Sequence, residues 1–366
     1  MAAAWDLNGN PSSVHAEGRH ARRLVEDARA EIARAVGGVP RNLVFTSGGT
    51  EANALALTPG LRREAGLPVE RLLASAIEHA SVLVGGRFAT EAIGTIGVTS
   101  SGLLDLDRLR ELLQSGPPAL VSVMLANNET GAVQPVAEVG EIVHAAGGLL
   151  HVDAIQAFGK IPFYINGLNA DLISVSGHKI GGPKGAGAVV LAEGVRGLEP
   201  LLRGGGQELG RRAGTENVAG IAGFGAAVRA AMDSLESDAI RLENLRNRLE
   251  KGLRHTSGVI VFSDDVPRLP NTTLFTVPGM RAETAVIGFD LEGIAVSSGS
   301  ACSSGKVQPS HVLKAMGFGP EIAQGAVRLS LGCSTSSADI DRCLEAWRKL
   351  AGTLLKGSDE TLLERF

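Results

Sequence analysis

Six short apolar runs, at residues 43–46, 72–76, 119–125, 148–152, 172–175 and 187–191, constrain the fold of this chain more than anything else in it. Each is the length of a strand and too continuously apolar to be one face of a surface helix, which is the pattern of strands covered on both sides. Helical spacing fills the gaps, as at 136–146. Ahead of the first run, Leu24, Ala28, Ile32 and Val36 recur every four residues within 19–36, and the pattern stops at Gly37-Gly38. Strands alternating with helices predict an α/β fold around a largely parallel sheet. The first run passes straight into Ser47-Gly48-Gly49-Thr50-Glu51 and a helical stretch over 52–57. A strand, a glycine turn and a helix N-terminus in succession can hold a phosphate.

Past residue 216 the pattern changes. An Ala-rich and then charged stretch to about residue 253 carries Leu235, Leu242, Leu245 and Leu249 at helical spacing, predicting a long helix that joins two domains. Beyond it, strands are expected at 259–262, 272–276, 294–296 and 327–331, and helices at 281–290, 309–316 and 337–352. The expected division is a large domain over 14–235 with a mostly parallel, seven-stranded type of sheet, and a smaller α/β C-terminal domain over 236–366 that takes back residues 1–13. With 366 residues, 44% of them hydrophobic, there is enough apolar mass for two cores.

A formal charge of −4 and a pI near 6.1 offer no basic stripe for nucleic acid. No unbroken apolar run approaches the roughly 20 residues that cross a bilayer, so no membrane role is expected. Met1-Ala2-Ala3-Ala4-Trp5-Asp6 lacks the basic and apolar blocks of an export signal. Cys302, Cys333 and Cys343 are too few and too unevenly spaced for a disulfide framework or a tetrahedral zinc site. A reduced, cytoplasmic setting without a metal is expected, with Cys333 near a strand end and Cys343 in a helix as packed side chains.

The chemistry gathers at strand ends. Ser174-Val175-Ser176-Gly177-His178-Lys179 closes one run and Gly181-Gly182-Pro183 follows it. A lone lysine after a strand is ordinarily a solvated charge. Here Ser176 and His178 are phosphate-type donors and the glycine turn keeps bulk away, so Lys179 is expected to be a buried amine that forms a Schiff base, given desolvation or a cationic neighbour to lower its proton affinity. His151-Val152-Asp153-Ala154-Ile155-Gln156 places a carboxylate at another strand end. Alone, Asp153 is as readily a turn cap. Beside such a lysine it is the group that keeps a pyridine nitrogen protonated, with Gln156 in reach of the ring's phenolic oxygen. Lysine and aspartate together point to pyridoxal 5'-phosphate. His79, in Ile77-Glu78-His79-Ala80-Ser81, is by itself a loop histidine and, with a ring cofactor, a flat partner for its face. Asn128, in Asn127-Asn128-Glu129-Thr130-Gly131, is by itself a turn residue and joins the site through its neighbours. Residues 204–208 and 211–215 make a long glycine-dense loop, either a mobile linker or a functional one. Cys302 stands among Ser300, Ala301, Ser303, Ser304 and Gly305, the setting of an exposed, reactive thiol.

In order and spacing, Asn10-Pro11-Ser12-Ser13, Thr46-Ser47-Gly48-Gly49-Thr50-Glu51, Glu78-His79, Asn127-Asn128-Glu129, His151-Val152-Asp153-Ala154-Ile155-Gln156, Ser176-Gly177-His178-Lys179, Arg212-Ala213-Gly214-Thr215 and Ser300-Ala301-Cys302-Ser303-Ser304 resemble the cysteine desulfurases of the NifS and IscS type. These are class V aminotransferase-like enzymes of pyridoxal phosphate fold type I, and the likeness runs from about residue 8 to about residue 347. The resemblance implies that Lys179 carries the cofactor, Asp153 meets the pyridine nitrogen, Gln156 the phenolic oxygen, and His79 stacks on the ring. It implies Gly49, Thr50, Ser176 and His178 at the phosphate, and Asn128 and Arg328 at the carboxylate of L-cysteine, where a guanidinium can bind in bidentate fashion. The residue matching Thr215 reaches the phosphate of the other subunit in this family, which implies a homodimer with shared sites. The implied reaction has Lys179 removing the Cα proton and Cys302, on a mobile loop, taking the sulfur as a persulfide. L-alanine leaves, and the sulfur passes to an acceptor such as an iron–sulfur scaffold or a thiolation protein. Family members usually begin with a short strand and an Ala-Thr-Thr-Pro-like turn that lies against the substrate, and Met1 stands after that point. A complete chain would then bind cofactor and turn over weakly; otherwise Met1 is internal to a longer protein. Two alternatives stay open: a selenocysteine lyase, which need not use Cys302, and a cofactor-binding scaffold with little or no turnover.

Overall fold

A computed structural model describes residues 1–299 and 309–354, the side chain of Ala3 apart. The chain divides into two compact units, one of Met1–Gly97, Leu104–Leu125 and Gln134–Leu235, the other of Val98–Leu103, Ala126–Val133 and Glu236–Phe366. Residues 1–13, expected with the small domain, group instead with the large unit. The reason is close packing on that unit's helices: a Cβ on Gly18 would lie 2.4 Å from the Ser13 carbonyl oxygen, and the Met1 side chain comes near enough that a Cβ on Gly223 would lie 2.6 Å from its Cγ.

The large unit is built on strands Leu43–Thr46 (β1), Arg71–Ser75 (β2), Ile93–Ile96 (β3), Ala119–Met124 (β4), Leu149–Asp153 (β5), Leu172–Ser176 (β6) and Gly187–Leu191 (β7). Their order is β1-β7-β6-β5-β4-β2-β3, with β7 antiparallel to both neighbours and every other pair parallel. Every residue of β1, β4, β5, β6 and β7 is buried, as strands covered on both faces must be. β3 is missing from the sequence expectation because it is a half-exposed edge strand whose apolar run is interrupted by Gly94 and Thr95.

Helices Ala16–Ala35 (α1), Gly49–Ala56 (α2), Ala80–Leu83 (α3), Leu106–Gln114 (α4) and Val136–Ala145 (α5) belong to this unit, as does the first half of Val218–Leu253 (α6). α1 buries Ala21, Val25, Ala28 and Ile32, three or four residues apart, as an amphipathic helix does. α6 can approach it because a Cβ on Gly225 would already stand 2.7 Å from that of Ala28. α6 is long and apolar enough in composition to cross a bilayer. Its Phe224 and Val228 are buried, Phe224 meeting Phe158 edge-on at 6.3 Å, which is how a core helix behaves. β1, β2, β5 and β6 point the same way, so the turns that leave them open on one edge of the sheet, the usual place for a ligand in an α/β fold.

The small unit holds an antiparallel sheet of Ile260–Val261 (β8), Thr272–Thr276 (β9), Ser297–Ser298 (β10) and Val327–Ser330 (β11), ordered β8-β9-β11-β10. The strand expected at 294–296 is displaced. Ile294 and Val296 pack on the core from irregular backbone, and the ladder to β11 falls on Ser297 and Ser298. Helices Ala282–Leu291 (α7), His311–Ala315 (α8) and Ser337–Leu354 (α9), with a short turn of helix at Pro320–Ala323, belong to the same unit. Fully buried Trp347 meets Phe275 edge-on at 5.0 Å, stacks on Phe289 at 6.3 Å, and donates its indole N–H to Thr256 Oγ1 at 3.0 Å. Cys343 is buried beside it, and burial pushes its thiol up to about 11. Cys333, expected to be packed, is exposed: β11 ends at Ser330 and a turn closed by Thr335 N–H on the Gly332 carbonyl carries the cysteine outward.

Candidate functional site

In the large unit, β1 delivers the glycine turn. Gly48 lies at φ +154°, and β7 runs so close that a Cβ on Gly187 would sit 2.7 Å from the Gly48 carbonyl carbon. A Cβ on Gly49 would fall 2.3 Å from Ile155 Cδ1, which would have to turn aside. α2 begins at Gly49, so its first N–H groups, which have no partner within the helix, emerge beside exposed Thr50. Glu51 ties this turn to a later segment: its carboxylate accepts from Ser47 N–H at 2.8 Å and from Arg212 Nε at 2.9 Å. Burial alone would raise the Glu51 pKa, but these donors outweigh it and hold it below the usual range. A cavity of about 170 Å³ lies here, lined by Thr46, Ser47, Arg212, Thr215 and Asn217 among others, with Thr215 exposed. The loop upstream is anchored. Buried Glu208, on left-handed backbone at φ +50°, accepts from both Arg29 guanidinium nitrogens at 2.7 and 2.8 Å and from Phe45 N–H at 2.9 Å.

β6 leads into a single 3-10 turn, Gly177–Ile180, closed by Gly181 at φ +78°, where a side chain would be strained. Ser176 is buried and its Oγ lies 2.9 Å from His178 Nδ1. The turn throws His178 and Lys179 outward, and both are exposed, so the expectation of a buried Lys179 is corrected. Partial desolvation, with the charges of Lys179 and Lys184, holds the His178 pKa below its ordinary value.

β5 ends on Asp153, which is buried. One oxygen accepts from Ile155 N–H at 3.0 Å and the other from Asn53 Nδ2 at 2.8 Å, so it does cap a turn. Burial pushes its pKa up, while those two donors and the charges of His79 and Lys179 pull it back. Half-buried Gln156 accepts from Lys160 Nζ at 2.9 Å. His79 caps α3, its Nδ1 lying 3.2 Å from Ser81 N and 2.8 Å from Ser81 Oγ. Asn53 and Ser81 escape the sequence reading. The one available signal is that Asn53 falls a helical turn after Gly49 and so shares its face. Hydroxyl, imidazole and helix N–H donors at two strand ends, a buried acid at a third, and a lysine whose charge that acid feels are a donor set that fits a phosphorylated pyridine aldehyde.

In the small unit, Asn127 Oδ1 accepts from Glu129 N–H and Thr130 N–H, both at 2.9 Å, an Asx turn, so the plain turn role belongs to Asn127. Asn128 is half-buried and its carbonyl accepts from Arg328 Nη1 at 2.8 Å. Arg328 sits on β11 between Leu274 of β9 and Ser297 of β10. Glu129, which the sequence reading passes over, is buried, and its Oε2 accepts from Ser310 Oγ at 2.6 Å. Burial raises it from the usual 4.5 to about 7 against the pull of Ser310 and Arg328. Cys302 lies outside the described residues.

Residues 3–343 match the family described as aminotransferase class V. The cysteine desulfurase of Gluconacetobacter diazotrophicus is 42% identical over 343 residues, covering 92% of this chain and 85% of that protein. That of Cereibacter sphaeroides is 43% identical over 344 residues, covering 92% and 87%. In three dimensions the chain is similar to an X-ray structure of a NifS-like protein from Rickettsia africae, with a TM-score of 0.87 and 39% identity over 96% of this chain and 94% of that one.

Proposed function

This chain belongs to the pyridoxal phosphate-dependent cysteine desulfurases of the class-V aminotransferase family, and from that premise we propose how its own residues take sulfur from L-cysteine. The observation that carries the reading is the company of Asp153: a buried carboxyl fixed by two N–H donors and acted on by the charges of both His79 and Lys179. When bound, pyridoxal phosphate supplies an electron sink for the pair released at the substrate Cα. Asp153 would keep a proton on the ring nitrogen, His79 would pack against the ring, and Gln156 would serve the phenolic oxygen. Thr50, Ser176 and His178 would hold the phosphate, with the turn at Gly49 opening onto the first N–H groups of α2.

Lys179 Nζ, presented on its 3-10 turn, would carry the cofactor and, once freed, would accept the Cα proton. Arg328, already oriented by the Asn128 carbonyl, takes the substrate carboxylate together with Asn128. The Cys302 thiolate attacks the substrate sulfur: a new S–S bond forms from its electron pair, the S–Cβ bond breaks with its pair left on Cβ, which takes a proton from solvent, and Lys179 returns the proton to Cα, giving L-alanine. The persulfide on Cys302 passes its sulfur to an acceptor protein in the cytoplasm. An exposed Thr215, on a loop held down through Arg212 and Glu51, supports a homodimer in which that loop serves the other subunit's phosphate site.

The test is a single turnover of the cofactor-loaded protein with L-cysteine. Equimolar alanine and persulfide are expected, the persulfide mapping to Cys302 by mass spectrometry, with neither product from Cys302→Ala. Alanine formed by Cys302→Ala at the wild-type rate, or a persulfide elsewhere, would contradict the reading. L-selenocysteine cleaved by that variant would mark a lyase instead.

A further inference from the structure

Between β2 and α3 lies a fully buried glutamate to which the reaction above gives no task. Glu78 Oε1 accepts the Met124 N–H at 2.7 Å. Met124 is the last residue of β4, and the ladder from β2 to β4 stops short of it at Ala74 and Ser122. The carboxyl therefore stands where the neighbouring strand has run out. On its other side Met124 is registered with Asp153, and Leu125 N–H donates to the Asp153 carbonyl at 2.9 Å. The residue after Glu78 is His79, joined to Ser81 Oγ at 2.8 Å. Asn53 Nδ2 donates to that same hydroxyl at 2.9 Å and to Asp153 Oδ2 at 2.8 Å. The contacts close a ring: Met124, Glu78, His79, Ser81, Asn53, Asp153 and back through the strand register to Met124.

We propose that Glu78 is a positioning residue for the cofactor ring, fixing His79 and Asp153 relative to one another through its bond to the Met124 amide. This rests on the cofactor reading above. Accepting the Met124 N–H needs an oxygen at that position and no charge. Burial and the nearby Asp153 carboxylate both push the Glu78 pKa well above the usual range and so favour the neutral acid, against the opposing pull of the Met124 N–H. Glutamine keeps the accepting oxygen at the same reach. Alanine removes it, and aspartate withdraws it by one methylene.

The test loads the full-length wild type, Glu78→Gln, Glu78→Ala and Glu78→Asp with pyridoxal phosphate. It reads the dissociation constant of the cofactor and the pH midpoint of its visible absorption band. The glutamine variant is expected to bind within about 3-fold of wild type with an unmoved midpoint. The alanine variant is expected to lose about 10-fold or more in affinity and to shift the midpoint, the consequence of losing a buried hydrogen bond worth roughly 1.5 kcal/mol. If alanine prevents folding, aspartate carries the same expectation. Alanine or aspartate matching wild type in both readouts would overturn the proposal, and so would a glutamine variant as impaired as the alanine one, since charge would then be what matters. A wild type that shows no visible band would instead sink the cofactor reading beneath it.

Discussion

Glu78 in the large unit and Glu129 in the small one are both buried glutamates in turns, yet their neighbours give them opposite duties. Glu78 lies near another carboxyl, Asp153, which adds to the cost of ionising it. Glu129 lies near Arg328 and receives the Ser310 hydroxyl, and both offset its burial far enough to leave it at about 7. Burial supplies the same push in each case, and the sign of the nearest charge decides whether the carboxyl is a fixed neutral acceptor or one that titrates near neutrality.

The sharpest way to break this contrast is to remove the charge that separates the two cases. Asp153→Asn leaves the ring nitrogen without its anion, and alanine formation is expected to fall by about 100- to 1,000-fold, the scale seen when one preorganised electrostatic partner is lost. The same change relieves Glu78 of a neighbouring negative charge and should draw its pKa down, readable by carboxyl-resolved NMR or infrared difference spectra. A small loss of rate with Glu78 unmoved would mean that the two carboxyls do not interact.

A medium effect belongs to Glu129. A carboxyl raised from 4.5 to about 7 in the folded state contributes nothing below the lower value, costs stability progressively as pH climbs through the interval, and costs a constant amount above it. The full displacement corresponds to about 3 kcal/mol. Denaturant unfolding followed by Trp347 fluorescence, with Trp5→Phe to silence the other indole, should lose up to that amount between pH 5 and 8. Glu129→Gln should flatten the profile, and a wild-type profile already flat would contradict the assignment. The smallest effect is that of Ser310→Ala, which removes the cap of α8 and the donor to Glu129 together. About 1 kcal/mol of stability should go, and the pH midpoint of the Glu129 profile should rise because its ionised form loses a donor. A falling midpoint would show that the hydroxyl does not favour the carboxylate.

The same two regions mark what the sequence could disclose. β7 and β9 are legible to the residue because each is a wholly buried run between turn signals, apolar in β7 and rich in β-branched threonine in β9. β10 is not, since its pairing residues are two serines whose placement comes from Arg328 and Val327 across the ladder. At the site, Lys179 announces itself in a polar, glycine-rich turn after a strand, while Asp153 and His79 become legible only in its company. The groups that hold them do not. Asn53 reaches Asp153 across 100 residues of sequence, and Arg29 meets Glu208 across 179. Neither leaves a periodic trace, because long-range hydrogen bonds are set by the tertiary fold and not by local spacing. Exposure of Lys179 is equally invisible, being decided by a 3-10 turn that Gly181 closes after the strand.

The most direct test of the whole account is borohydride reduction of the cofactor-loaded protein, followed by peptide mapping. The cofactor should be found fixed to the ε-amine of Lys179. Label on Lys184 or any other lysine, or no label at all, would contradict the account at its base.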